Sequence, residues 1–555
     1  MIINHLQNKS SLLPNTYFKM RNLTTLILLC FTAFNLTAQK TGDLFDASYV
    51  HDIRFTFEQK NWVEQLDSLR LNGDEMLLGK VIIDGTTYDK VGITYAHTPT
   101  YMTAGKRNPW YVKLNYIDKK QNHQGYKAFT ISQALRDPSM VREVLGYEMA
   151  RKYMPAPLAN HVNLTVNSEN RGVHVNVEAI NEDFLQKNFQ NTEGAFFRCV
   201  PDTRTEIKGE CEHIYGALKP QKDVRCMMVN FDMLSKAGWD DLIELTRVLN
   251  EDPNNISRIL NLDRTLWFLA FNNVVVNLNS YNGQFSGNYY LYRDKNNQFN
   301  FIPTELNLIF GSIKNTTGNS DLDLTGLTTL DPMLHIDNAA KPLISQLLKN
   351  QDIKKIYFAH IRQILADWFE NDLYKRRAEA LQKMITPYYD QDKTPPYQTV
   401  DFKRSLTETV GSVTKIPGIV ELMMARTKYL RKHPDMLVVP PVVSDVTFTN
   451  RKKFSNQTVT EFHIKAKVDK FPRRIRVFYR PTGSTGIYTE LQMLDDGKSH
   501  DVEAGDKIFG AAINPMGKFT GIEYYIIAEN AAAATFYPTN YIAEKAKMTI
   551  EELNK

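Results

Sequence analysis

The sequence predicts an α+β body followed by a β-sandwich. Three observations carry this. Extended runs joined by turn residues fill the first part of the chain. Apolar residues at helical spacing fill the middle. Beyond Pro440-Pro441 the pattern changes to short alternating strands. A chain of 555 residues has room for two or three domains with sizeable cores. The divisions read from these changes are a leader and signal peptide over 1–39, a body over 44–435 and a sandwich over 442–549.

The N-terminus reads as an export signal. Met20-Arg21-Asn22 supplies a start and a positive charge, Leu23 to Phe34 is mostly apolar, and Leu36-Thr37-Ala38 offers small residues for cleavage near Ala38. The apolar run is short for a membrane span, and no later segment is long and apolar enough to be one. The expected location is therefore outside the cytoplasm: secreted, periplasmic or at the cell surface. Cys30 follows Leu29 where a lipid-attachment motif has a small residue, which argues against lipidation.

Next comes a hairpin, Val81-Ile82-Ile83 and Thr86-Thr87-Tyr88 around Asp84-Gly85. Trp110 to Leu114 reads as a strand. Asp137-Pro138-Ser139 opens a helix through about Tyr153, with Asp137 as N-cap and Pro138 at the first helical position. A second hairpin joins His161–Val166 to Gly172–Val177. Helical spacing marks Trp239–Leu249, Asp263–Val276, Ala340–Tyr389 and Ile419–Lys432, with strands at Asn288–Tyr292 and Phe299–Ile302. The sandwich strands are expected at 446–448, 460–468, 474–479, 508–513 and 522–528.

Composition excludes some functions. Hydrophobic residues at 43% and charged residues at 23% fit an ordinary globular protein, and a net charge of +5 with no basic block interleaved with aromatics gives no nucleic-acid binder. No G-x-S-x-G, H-E-x-x-H or catalytic Cys signature supports a hydrolase. Three cysteines remain after the signal: Cys199, Cys211 and Cys226. Cys199 with Cys211 is a plausible bridge, and a zinc site with His213 is the less favoured alternative because no C-x-x-C is present. Asp495, Asp496, Asp501 and Asp506 could hold Ca²⁺ or could simply bond their own turns.

Gly287-Asn288-Tyr289-Tyr290-Leu291-Tyr292-Arg293-Asp294, followed by Phe299-Asn300-Phe301-Ile302-Pro303-Thr304-Glu305-Leu306-Asn307-Leu308-Ile309-Phe310-Gly311, resembles the CotH family, bacterial spore-coat and secreted proteins with an atypical kinase-like fold. Val91-Gly92-Ile93, Asp137-Pro138-Ser139, Asn167 to Glu178, Asp183-Phe184-Leu185 and Gly194 to Arg198 fit the same pattern in the same order. The tail, with Leu494-Asp495-Asp496-Gly497 and Glu523 to Ala528, resembles immunoglobulin- or fibronectin-like modules of secreted bacterial proteins.

The resemblance implies an ATP-dependent phosphotransferase with Mg²⁺ or Mn²⁺. It implies nucleotide-binding roles for Lys106, Lys113, Glu178 and Arg198, metal ligation by Asn279, Asn288, Glu305 and Asn307, and catalysis by Glu305 and Asn307. Three family acids are altered here: Asn279, Glu305 and Asn307 stand where the pattern has Asp. The phosphate loop, Thr94 to Thr100, lacks the usual Gly and basic residues. Asn can ligate a metal but cannot act as a base, and Glu sets its charge one bond further out. The reading is a degenerate, pseudokinase-type body, with a catalytically silent scaffold as the alternative. The partner is an exported or surface protein, or a glycan.

Overall fold

The structure, a computed structural model, describes residues 42–549 and 552, apart from 74, 99–100, 201–210, 319, 452–460, 499 and 515–519. The leader and signal expected over 1–39, with Ala38, lie outside the described residues, as do Pro99 and Thr100 of the predicted phosphate loop. Among the described residues no helix is long and apolar enough to cross a membrane. Helix and strand mix throughout, as α+β requires.

The chain opens with seven strands: β1 (His51–Thr56), β2 (Leu77–Ile83), β3 (Thr86–Tyr95), β4 (Trp110–Lys113), β5 (Ala128–Ser132), β6 (Ala159–Val166) and β7 (Glu169–Glu178). They close into a barrel in the order β1-β2-β3-β4-β5-β7-β6. The closing pair is β1 with β6, which run parallel with His51 opposite Val162. Ile53, Phe55, Val81, Ile83, Val91, Ile93, Val112, Phe129, Ile131, Val162 and Leu164 fill the interior, one side of the two-residue alternation on β1 to β6. Both predicted hairpins are present. Asp84 and Gly85 take φ of 46° and 90°, the left-handed pair that a tight hairpin needs. The second turn is tighter than expected: Asn167 and Ser168 (φ 45° and 67°) close it in two residues.

The longer helices are α1 (Trp62–Asn72), α2 (Arg142–Ala150), α3 (Glu182–Phe189), α4 (Trp239–Glu251), α5 (Leu262–Val274), α6 (Gln351–Ile364), α7 (Leu373–Tyr389) and α8 (Ile419–Arg431). α1 packs on β2 and β3 of the barrel, and α5 packs on β11 of a sheet ordered β11-β10-β8-β9, from β8 (Phe196–Cys199), β9 (Asp232–Met233), β10 (Tyr289–Arg293) and β11 (Phe299–Pro303). Val173, Val175 and Val177, facing out of the barrel on β7, join the large apolar core of this part. α2 starts later than its Pro predicts. Met140 sits at φ 59°, so regular helix cannot begin before it. Asp137 still caps the helix from a distance, accepting from Ser139 N at 3.0 Å and Arg142 N at 2.7 Å.

The cysteine expectation is corrected. Cys211 bridges Cys226, with Cα atoms 5.3 Å apart, and Cys199 is a buried free thiol. With Cys211 and Cys226 bridged, the three cysteines cannot form a zinc site together.

Beyond Pro441 lie β12 (Val442–Arg451), β13 (Glu461–Asp469), β14 (Arg474–Pro481), β15 (Thr489–Met493), β16 (Ile508–Ile513), β17 (Gly521–Glu529), β18 (Ala534–Tyr537) and β19 (Ala546–Thr549). They form two antiparallel sheets, β12-β13-β16 and β15-β14-β17-β18 with β19 also on β17. Both sheets share a core that includes Phe462, Ile464, Ile475, Val477, Ile513, Ile522 and Ile526.

This unit is bonded to the helices. Tyr541 donates to the Asp263 carboxylate at 2.7 and 2.8 Å and accepts from Trp267 Nε1 at 3.0 Å. His360 stacks on Trp267 at 3.7 Å and on Phe536 at 5.2 Å. Glu529, whose side chain is fully buried, meets Arg474, Arg476 and Lys355 of α6 at 2.7 to 3.1 Å. Tyr541→Phe should lower stability by about 1–3 kcal/mol, because Trp267 Nε1 then lacks its acceptor. Urea unfolding checks this: the midpoint should fall, and an unchanged midpoint would show that the bond is not part of the folded contact.

Candidate functional site

A cavity of about 290 Å³ opens between the barrel and the four-stranded sheet. The barrel side gives Thr94, Ala96, His97, Thr98, Tyr111, Thr130, Ser132 and Glu178. The sheet side gives Arg198 on β8, Tyr290 on β10, and Thr304, Glu305 and Asn307 just after β11. α2 adds Glu143 and Tyr147.

Local structure explains the placement. α2 approaches the segment after β11 at Gly146, where a Cβ would lie 2.5 Å from Ile309 Cδ1 and 3.3 Å from Leu306 Cβ. Arg136 and Ser312 bond each other twice, Nη2 to backbone O at 2.9 Å and Oγ to backbone O at 2.8 Å. These ties bring Glu143 and Glu305 to one cavity. Gly146→Val, whose added bulk meets Leu306 as well as the tip of Ile309, should cost about 1–3 kcal/mol by overpacking, measured by denaturation; an unchanged stability would mean that both side chains yield freely.

Glu305 holds a left-handed backbone, φ 55°. Burial pushes its carboxyl up to about 7, against the opposing Arg198 charge. Burial pushes Glu143 up to about 8; a Ser132 hydrogen bond opposes this and the Glu305 charge adds to it. Glu143 is 4% exposed and its Oε2 has no hydrogen-bond partner; Asn307 is 3% exposed and its Oδ1 has none either. Arg198 is bound to Asp232 Oδ2 by Nε at 3.0 Å and Nη2 at 2.8 Å.

Of the residues singled out from sequence, Glu178, Arg198, Glu305 and Asn307 line the cavity together, and so does the Thr94–Thr98 part of the predicted phosphate loop. The others do not. Lys106 is exposed. Lys113 lies on β4, paired with Gly92 and Ala128, and is not on the wall. The lysine that Glu178 holds is Lys187 of α3, at 2.9 Å, while Leu158 N occupies the other carboxylate oxygen at 3.0 Å. Arg107, the neighbour of Lys106, is buried on the carbonyls of Arg171 and Val173 and on Asp392. Asn288 and Asn279 pair with each other, Nδ2 to Oδ1 at 2.9 Å, off the wall.

Sequence reasoning missed Glu143 and Tyr147. The available signal was an acid inside an apolar helical run, Val141, Val144, Leu145 and Met149, all fully buried. In the C-terminal unit, Asp495, Asp501 and Asp506 bring carboxylate oxygens within 4.8 Å of one another. Each also accepts from backbone N–H groups, Asp501 and Asp506 within their own turns and Asp495 from Gly505 and Lys507 across to the next turn, and Asp496 accepts from Lys498 N.

The two raised carboxyls set a pH dependence. Each keeps its proton in the fold to higher pH than the ordinary 4.5, so the unfolded chain gives it up first. Their contribution to stability is present at low pH and is lost as pH rises from about 4.5 to about 8. Glu143→Gln, which cannot ionise, should therefore gain stability relative to the wild type across that window. Denaturation at several pH values checks it; parallel curves would show that Glu143 does not titrate there.

A family model described as CotH kinase protein matches residues 102–430. Among curated proteins, "Inner spore coat protein H" of Bacillus subtilis (strain 168) is 20% identical over 364 residues, covering 63% of this chain and 89% of that protein. The family match spans more than half of the chain, and the chain belongs to the CotH kinase protein family.

Proposed function

We propose that this is an exported, surface-associated CotH protein with a kinase-like body over 44–435 and an immunoglobulin-like sandwich over 442–549, and that its cleft transfers phosphate poorly or not at all. The relative's name assigns that protein to an inner spore coat, and a surface setting for this chain follows from that and from the apolar run at 23–34. The observation that carries the catalytic reading is the charge of the cleft. Among the described lining residues Arg198 is the one permanent cation, and Asp232 already holds it, while Glu143, Glu178 and Glu305 are acidic. Phosphoryl transfer is positioning and neutralisation of a polyanion. A triphosphate entering this wall meets no lysine and no permanent cation that is not already paired.

One observation favours a working phosphotransferase as the second reading: Glu305, at about 7, is in the range suited to a general base. In that case ATP with Mg²⁺ or Mn²⁺ is the cofactor, Glu305 accepts the proton of an acceptor hydroxyl on an exported protein, and Asn307 helps hold the metal. As a silent scaffold, the body and sandwich would bind a partner protein or glycan.

Thermal shift and phosphate transfer separate the two. ATP without metal should not stabilise the chain, and transfer to casein should be absent or slight, with or without Mg²⁺ or Mn²⁺. Robust autophosphorylation abolished by Glu305→Gln would overturn the silent reading and leave the family assignment intact.

A further inference from the structure

We infer that the junction between the helices and the C-terminal sheets docks the chain on an anionic lipid bilayer, with Phe471 entering the headgroup region and Lys467, Lys470 and Arg473 facing the lipid charges. The inference goes beyond the cleft and needs neither nucleotide nor phosphate transfer.

Two segments build the patch. Asn530 donates from its side-chain amide to Val439 O at 2.8 Å and to Lys470 O at 3.3 Å, which holds the linker against the turn between β13 and β14. At the same end β12 pairs Val442 with Asp469. Four large apolar side chains stand in water here: Leu437 is 68% exposed, Val439 60%, Val442 50% and Phe471 87%. A single exposed apolar residue is ordinary, but a group of them marks a contact surface. Phe471 is the least ordinary of the four. It and Lys470 hold left-handed backbone, φ 61° and 69°, which a bulky residue rarely adopts. The turn presents an aromatic ring to solvent where glycine would fit the backbone better.

The charges choose the partner. From 465 to 474 the chain carries Lys465, Lys467, Lys470, Arg473 and Arg474 against one acid, Asp469. Lys507 already pairs with Asp469, at 3.0 Å, and Arg474 is taken up by Glu529 and Asp352, at 2.7 and 3.0 Å. Lys467, Lys470 and Arg473 are exposed and have no ion pair among the described residues. Free cations beside exposed apolar groups suit an anionic interface, where the cationic heads meet the lipid headgroups and the ring enters the boundary below them. A soluble polyanion would engage the same cations and leave Phe471 in water.

Co-sedimentation of the full chain with vesicles tests this, using phosphatidylcholine alone and phosphatidylcholine containing phosphatidylglycerol. Binding should need the anionic lipid and weaken in high salt. Phe471→Gly should weaken it about tenfold, with a thermal midpoint unchanged or raised, because glycine accepts the left-handed backbone. Lost folding then cannot explain lost binding. Lys470→Asn, which also accepts that backbone, should weaken it about fivefold, the share of one cation at such a surface. No binding, or equal binding to both vesicles, overturns the inference. Binding unchanged in Phe471→Gly overturns it too, since a polyanion site or insertion of the apolar run at 23–34 would behave in that way.

Discussion

The buried Asp137–Arg142 pair is the interaction on which the cleft depends. Both side chains are fully buried, with Nη1 and Oδ1 at 2.8 Å. Asp137 also takes Ser139 Oγ at 2.5 Å and the Arg142 backbone N–H, and Arg142 Nη2 reaches Pro417 O at 2.6 Å. A buried ion pair is weak evidence for stability by itself, but removing one partner costs about 3–5 kcal/mol because the other charge is stranded. Here the pair also fixes direction. It stops the chain after β5, starts α2 one residue before Glu143, and ties that start to the segment entering α8. The Arg136–Ser312 bonds then set the segment after β11 against the same point.

A second buried polar assembly ties the far end of the chain to the same scaffold. Trp267 of α5 lies between Tyr153, at 4.6 Å, and His360, at 3.7 Å, and donates to Tyr541. Tyr153 follows α2, so the stack runs from the helix that carries Glu143 to the C-terminal sheets. Ile527, Ala534, Phe536 and Tyr541 count among the large core of the helical part rather than the core between the two sheets. The C-terminal unit therefore has its own apolar centre and also completes a neighbour's. Glu529, held by Arg474 and Arg476 of its own sheet and Lys355 of α6, bridges the two.

What was legible in the sequence was local. Asp84-Gly85 announces its hairpin because few residues accept left-handed backbone, and Asn288 to Asn307 announces two strands because the apolar run and its polar turn are contiguous. Closure of the barrel was not legible, since β1 meets β6 across more than a hundred residues. β15, Thr489–Met493, is too polar to stand out, with one buried residue in five. Lys113 shows how a correct strand can give a wrong expectation of reach. It shares a face of β4 with Tyr111, which lines the cavity, but stands two residues further on, roughly 7 Å along the strand. The cysteines misled for a similar reason. Cys199 Sγ packs so closely on Gly216 that a Cβ there would lie 2.5 Å away, so it fills space in the core instead of reaching Cys211.

The cleft concentrates features that oppose folding. Glu305 occupies left-handed backbone that favours glycine, and such a residue costs about 1–3 kcal/mol. Two buried acceptors lack partners, and two carboxyls share an enclosed space in which both cannot readily ionise. A cavity kept only for packing would lose these features to any apolar substitution of similar size, with gain in stability. They persist together at one place because the Asp137–Arg142 and Arg136–Ser312 ties hold them there. A left-handed residue, unpaired acceptors and raised carboxyls on one cavity wall, offset by bonds just outside it, are features of a preorganised ligand site. The family pattern drew attention to Glu305 and Asn307; the lining of their cavity adds Glu143.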